Sequence, residues 1–135
     1  MLLVILQVRN LNGDGEKKTS MSELKELTDK ILEFRNARDW KQFHTPKDLA
    51  IGLTLEAGEV AEHFLWKNKE ELQQHIENHS EEIGDELADV LYFLLLMAND
   101  FNIDLFQAAQ RKIEKTAKKY PVEKAKGKHT KYTDL

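Results

Sequence analysis

Apolar residues recur at helical spacing along most of this chain, and the breaks between the apolar stretches carry start and stop signals. Leu24, Leu27, Ile31 and Phe34 mark one face of a first helix, which Ser20-Met-Ser-Glu23 opens as a capping box and which ends near Arg38. Asp39-Trp-Lys-Gln-Phe-His44 reads as a connection. Thr45-Pro46 is a strong start signal, a hydroxyl cap followed by proline at the first helical position with Asp48 in the first turn. The second helix then runs through Leu49, Leu53, Val60, Ala61 and Phe64 to about Trp66. Residues 67–79 are polar and predict a loop, with a short helix at most. Ser80 is placed to cap a third helix, with Glu81 and Glu82 at the positive end of its dipole. That helix reaches about Asn99 and is apolar nearly all round after Asp89, the mark of a central, multiply packed element. Asp104-Leu-Phe-Gln107 opens a fourth helix and Tyr120-Pro121 ends it. With no strand alternation in the body and no internal repeat, the expected architecture is all-α, a four-helix bundle or a related helical packing.

A length of 135 residues suits one domain. Its first residues, Met-Leu-Leu-Val-Ile-Leu-Gln-Val8, are too few to span a membrane and lack the basic region and cleavage site of a signal peptide. Asn10-Leu-Asn-Gly-Asp-Gly15 reads as loop. The chain therefore divides into an N-terminal extension at 1–20, a short strand or a disordered arm, then a helical domain at 21–121 and a basic tail at 122–135. The absence of cysteine excludes disulfides, thiolate metal sites and a cysteine nucleophile, and suits a reducing cytoplasm. The net charge of −4 hides an asymmetry: nine Lys/Arg against three acids make residues 111–135 +6, leaving residues 1–110 at −10. Such a tail reaches phosphates or is a solvated helix end, and nothing points to a nucleic acid or a membrane as partner.

The chemistry lies in two acidic motifs. Glu56-Ala-Gly-Glu59 and Glu86-Leu-Ala-Asp89 each put two carboxylates three residues apart, and so on one helical face. The second opens directly onto Val90-Leu-Tyr-Phe-Leu-Leu-Leu-Met-Ala98, which leaves the helix able to meet water only near its start. Acids spaced this way also decorate ordinary exposed helix faces, but four of them beside a core are costly unless a cation neutralises them. The donor set is all oxygen, which suits Mg²⁺ or Mn²⁺. It does not suit di-iron chemistry, because the residues three before His63, His75 and His79 are Val60, Leu72 and Ile76 and no Glu-x-x-His motif exists. Hard metal ions on carboxylates are also what phosphate hydrolysis needs. Trp40, Phe43, Trp66 and Phe93 are the aromatics expected near such a site, as base-stacking platforms or as packing at bundle ends. His44 donates to a phosphate or base, or sits at the surface; Lys112, Lys118 and Lys119 reach phosphates or form a solvated face. His75, His79 and His129 fall in polar segments and gain no role from their neighbours in sequence.

Taken in order, these motifs resemble the MazG-type all-α nucleoside triphosphate pyrophosphohydrolases, whose signature is ExxE followed by ExxD. Arg38-Asp-Trp-Lys-Gln-Phe-His44, Leu55-Glu-Ala-Gly-Glu-Val-Ala-Glu62, Trp66-Lys67, Glu86-Leu-Ala-Asp-Val-Leu91, Lys112, Lys119-Tyr-Pro121 and Lys131-Tyr-Thr-Asp-Leu135 are particularly similar to the dCTP pyrophosphatase branch. The resemblance covers about residues 22–135. It implies Mg²⁺-dependent hydrolysis of a nucleoside triphosphate, dCTP or a modified dNTP, to the monophosphate and pyrophosphate. It also implies metals on Glu56, Glu59, Glu86 and Asp89, and substrate contacts from Trp40, His44, Trp66, Lys67, Phe93, Lys112, Lys119 and Tyr120. Members of the branch are typically homotetramers, dimers of dimers with sites shared between subunits. The chain departs from the pattern at Phe93, where the branch often has tyrosine, at Thr116, where it tends to asparagine, and at Ile31, where it tends to histidine. The rival expectations are a dUTP-directed all-α hydrolase and a non-catalytic helical oligomerisation module that binds Mg²⁺ structurally or not at all.

Overall fold

The computed structural model describes residues 15–134, with side chains from Glu23 onward. All of its regular structure is helical among the described residues: α1 (Gly15–Asn36), α2 (Pro46–Glu62), α3 (Lys69–Asn78), α4 (Ser80–Asp100), α5 (Leu105–Lys119) and a single turn, α6 (Val122–Ala125). Short 3-10 segments at Trp40–Phe43 and Tyr132–Asp134 complete the order. The strand or arm expected for residues 1–20 lies outside the described residues as far as residue 14. From Gly15 the chain is already helical, so Ser20 lies inside α1 rather than at its cap.

Local chemistry explains most boundaries. Thr45 caps α2 by accepting from the Asp48 backbone N–H, with Pro46 at the first position. Asp104 caps α5 through the Gln107 N–H at 2.9 Å. The polar segment after α2 forms a full ten-residue helix, because Asn68 and Glu71 make a reciprocal capping box that its composition alone understates. Helix α2 stops at Glu62, four residues short of Trp66, whose backbone is left-handed at φ 62°. Ser80 is the first residue of α4 and not its cap; His79 occupies the cap position without a side-chain bond.

The core is small: Ile31 from α1, Leu49 from α2, and Leu95 and Leu96 from α4 are buried together. Around them Leu24, Leu91, Tyr92, Phe93, Met97 and Leu105 are partly buried. The α2–α4 pair makes the most extensive contact in the molecule, and α1 leans on α4. A charge sits within this core. Arg35 is 1% exposed and holds Asp100 through both guanidinium ends, at 2.7 Å and 3.1 Å. Burial pushes the Asp100 carboxyl up, but hydrogen bonds from Arg35 and Asn99 outweigh it and leave the group below the usual range.

The run after Asp89 is not buried on all sides as expected. Leu95, Leu96 and Ala98 are buried, whereas Leu94 faces out, as do Leu87 on the same helix and Ile51 and Leu55 on α2. Among the described residues, no helix is long and apolar enough to cross a membrane.

Candidate active site

Helices α2 and α4 run antiparallel, and side chains meet in pairs whose positions rise on one helix as they fall on the other. Leu49 and Leu96 share the core. One turn on, Phe93 lies against Gly52 so closely that a Cβ at Gly52 would stand 2.6 Å from the ring Cζ. The missing side chain lets the two backbones approach. The next rungs are Glu56 with Asp89 and Glu59 with Glu86. The close crossing at Gly52 thus sets the gap between the helices directly beside the four carboxylates.

Oxygens of Glu56, Glu86 and Asp89 all lie within 4.8 Å of one another. Glu59 lies beside Glu86 across the helix pair. Burial first, then repulsion from Glu59, Asp89 and Glu86, pushes the Glu56 carboxyl up from its ordinary value. Glu86 is raised by burial and then by the adjacent Glu59. These acids therefore resist carrying their full charge side by side, and a cation would relieve the repulsion. The oxygen set suits a divalent metal such as Mg²⁺, whose octahedral ligands at about 2.1 Å stand about 3 Å apart when adjacent and about 4.2 Å apart when opposite, and the three carboxylates would draw together to hold it.

The other residues singled out in the sequence do not gather here within one chain. Trp40 lies near the start of α2, edge-on to Phe34 at 5.7 Å, with Arg38 stacked 3.7 Å over Phe34 and His44 at 6.5 Å from the indole. His44 is half-buried, its Nδ1 has no partner among the described residues, and it lines a cleft of about 370 Å³ with Lys41, Asn99, Asp100 and Phe101. Burial, followed by the nearby Arg35 charge, holds this histidine below its ordinary pKa. Trp66 is at the opposite end of α2, 96% exposed, with no ring neighbour among the described residues. Lys67 is half-buried near His75, while Lys112 stands exposed on α5. Lys119 and Tyr120 pack against Tyr132, the lysine 4.9 Å from its ring. Phe93 is committed to Gly52 and forms the floor one turn below Asp89. Phe43 is largely exposed. A larger cleft of about 570 Å³ lies between α1 and the start of α5, and none of the four carboxylates lines it.

Two features escaped the sequence reading. The Arg35–Asp100 pair had one signal, since Arg35 stands four residues after Ile31, where the apolar stripe should continue. The Gly52–Phe93 contact had none, because its partners are forty-one positions apart.

An all-α fold whose most extensively packed helix pair carries three converging carboxylates, with a fourth beside them, defines a class of metal-capable helical proteins, and comparison narrows it. A family model described as MazG-like matches residues 51–135, and the chain belongs to that family. A mouse protein named dCTP pyrophosphatase 1 is 35% identical over 91% of this chain and 82% of its own length. Its bovine counterpart is 40% identical over 76% of this chain, and that match spans 62% of the bovine protein. A crystal structure from Archaeoglobus fulgidus, described as a pyrophosphatase, superposes with a TM-score of 0.71 at 33% identity, covering 85% of this chain and 99% of that one.

Proposed function

We propose that this chain hydrolyses dCTP, or a modified deoxynucleoside triphosphate like it, to the monophosphate and pyrophosphate. The activity class, nucleoside triphosphate pyrophosphohydrolase, is that of the MazG-like family and of the relatives named above. The observation that carries the reading is the carboxylate cluster of Glu56, Glu86 and Asp89, with Glu59 beside it, on the most extensively packed helix pair. These four residues would hold Mg²⁺, or Mn²⁺ in its place. When bound, such an ion neutralises phosphate charge and lowers the pKa of an attacking water. Water attacks the α-phosphorus, the bond to the bridging oxygen breaks, and pyrophosphate leaves with that oxygen. The carboxylate set takes the water's proton.

Trp40 and Trp66 are assigned to the base, His44 and the lysines Lys67, Lys112 and Lys119 to phosphates or base, with Phe93 and Tyr120 bordering the pocket. The unpartnered His44 Nδ1 supports a ligand contact there. Because the two indoles stand at opposite ends of α2, a pocket that uses both is shared between copies of the chain, and a homotetramer of paired dimers satisfies this. Exposed Ile51, Leu55, Leu87 and Leu94 supply apolar surface for such an interface.

A panel of dNTPs and NTPs with Mg²⁺, resolving pyrophosphate from orthophosphate, tests the activity. Turnover of dCTP with pyrophosphate as product is expected. Orthophosphate release, or no turnover of any nucleotide, would overturn the reading. In ¹⁸O-water the label should enter the monophosphate; label in pyrophosphate would place attack at the β-phosphorus.

A further inference from the structure

Arg38, just past the end of α1, is a cation with no acid to answer it. Among the described residues it makes no ion pair, and the carboxylate next to it, Asp39, is taken by the Gln42 amide at 2.6 Å. Its side chain is nevertheless held in place. Nη1 donates to the Phe34 carbonyl at 3.0 Å, and the guanidinium lies 3.7 Å over the Phe34 ring. Phe34 stands edge-on to Trp40, and Arg38 Cζ is 5.7 Å from the centre of the indole. Both rings stay open to solvent, Phe34 44% and Trp40 41% exposed. The chain therefore offers an open indole face with a fork of N–H donors beside it, all but one of them unpartnered among the described residues.

We propose that Arg38 sets the base selectivity of the reaction, its fork donating to N3 and O2 of a cytosine stacked on Trp40; the inference rests on the activity proposed above. A pyrimidine lying on the indole, one hydrogen bond from the fork, would put Cζ about 6 Å from the indole centre, and Cζ already stands at 5.7 Å. Arg38 is exposed, so the fork is free to tip into the plane of that base. Cytosine presents two adjacent acceptors on this edge, the pattern a guanidinium matches with two parallel N–H bonds. Uracil and thymine carry a proton on N3, so one donor of the fork would meet another donor and both would stay unpaired. The C5 position lies on the far side of the ring, so a 5-methyl group would not meet Arg38. Guanine also presents paired acceptors, so the device sorts pyrimidines from one another. The same charge could instead pair with a phosphate, but its seat against Phe34 and Trp40, away from the carboxylate cluster, favours the base edge.

The test sets dCTP against dUTP in one reaction with Mg²⁺ and reads the ratio of their kcat/KM values in the full-length wild type, R38K and R38M. Lysine keeps the charge without the fork, and methionine removes both. The wild type should favour dCTP, and both variants should lower the ratio by about 5- to 150-fold, the range for one bidentate base contact. The loss should fall mainly on the KM for dCTP, and 5-methyl-dCTP should lose in parallel. A wild type that turns over dUTP as well as dCTP, or a ratio unchanged in both variants, would overturn the proposal. So would R38M losing dCTP and dUTP equally with R38K restoring both, which is the pattern of a phosphate contact. Calorimetric binding of dCMP and dUMP reads the same preference without turnover. Absence of hydrolysis would therefore overturn the activity reading, while equal binding of the two monophosphates would overturn this one.

Discussion

Asp89 and Glu59 separate what a carboxylate contributes to chemistry from what it costs the fold. Loss of one metal ligand forfeits several kcal/mol of charge stabilisation, so Asp89→Ala or Glu59→Ala should lower kcat/KM by about 100-fold or more. Circular dichroism should show the helices intact. In metal-free protein, Glu59→Gln should raise Tm, because repulsion beside Glu86 falls, and Mg²⁺ should stabilise the wild type more than the variant. Glu56 and Glu86 have folded pKa values above their unfolded ones, so they contribute stability when protonated and lose it as pH rises through the folded values. Metal-free protein should therefore gain stability as pH falls from neutral towards the carboxylate range. Asp100 has the opposite sign: held below its unfolded value, it stabilises above that value and fails as pH drops further. Thermal scans against pH with and without Mg²⁺ separate the two. Arg35 tests the buried charge. Breaking a buried pair typically costs about 3–5 kcal/mol, so Arg35→Ala should lower the urea midpoint strongly, and unchanged stability would show that the pair is solvated. The carboxylates were legible in the sequence because an ExxE spacing on a helix leaves no choice of face. The pairing of Arg35 with Asp100 was not, because it joins residues sixty-five apart.

Among the elements, the α2–α4 crossing does the most for the site. A methyl group at Gly52 would meet the Phe93 ring at 2.6 Å from Cζ and 2.9 Å from Cδ1. Overpacking of this kind costs about 1–3 kcal/mol, and relief comes from moving the ring or spreading the helices. Gly52→Ala should therefore lower Tm and weaken Mg²⁺ binding together, and Gly52→Ala combined with Phe93→Leu should recover part of both. Additive losses in the double variant would refute the coupling. Helix boundaries followed the sequence where a cap chemistry was explicit, as at Thr45-Pro46 and Asp104. They departed where a plausible cap had no free backbone donors to satisfy, as at Ser20, or where a neighbour took the position, as at Ser80. Helix α3 was under-read because its polar composition suggested loop, whereas Asn68 and Glu71 form a reciprocal capping box at its start.

At the scale of the whole molecule, a small core and the exposed Ile51, Leu55, Leu87 and Leu94 leave one chain with apolar surface beyond its own needs. If copies cover it, Leu94→Glu should shift the particle to a smaller mass by light scattering and reduce activity. Stacking contributes roughly 1–3 kcal/mol per base, so Trp40→Ala and Trp66→Ala should each raise KM by about 5- to 150-fold. Inactive Glu59→Ala mixed with Trp40→Ala after dissociation should restore turnover at substrate concentrations below the raised KM of Trp40→Ala if sites are shared. A wild type that is fully active as a monomer would rule sharing out. The sequence alone determined the helical class, the second-helix start and the presence of two carboxylate pairs, because periodicity, caps and i,i+3 spacing are local properties of a chain. Only the tertiary structure decided that the pairs face each other across a glycine-width crossing, that an arginine is buried in the core, and that His63 after α2 meets His75 of α3. Those depend on which helices touch and in what register, and register is set by the packing of side chains far apart in sequence.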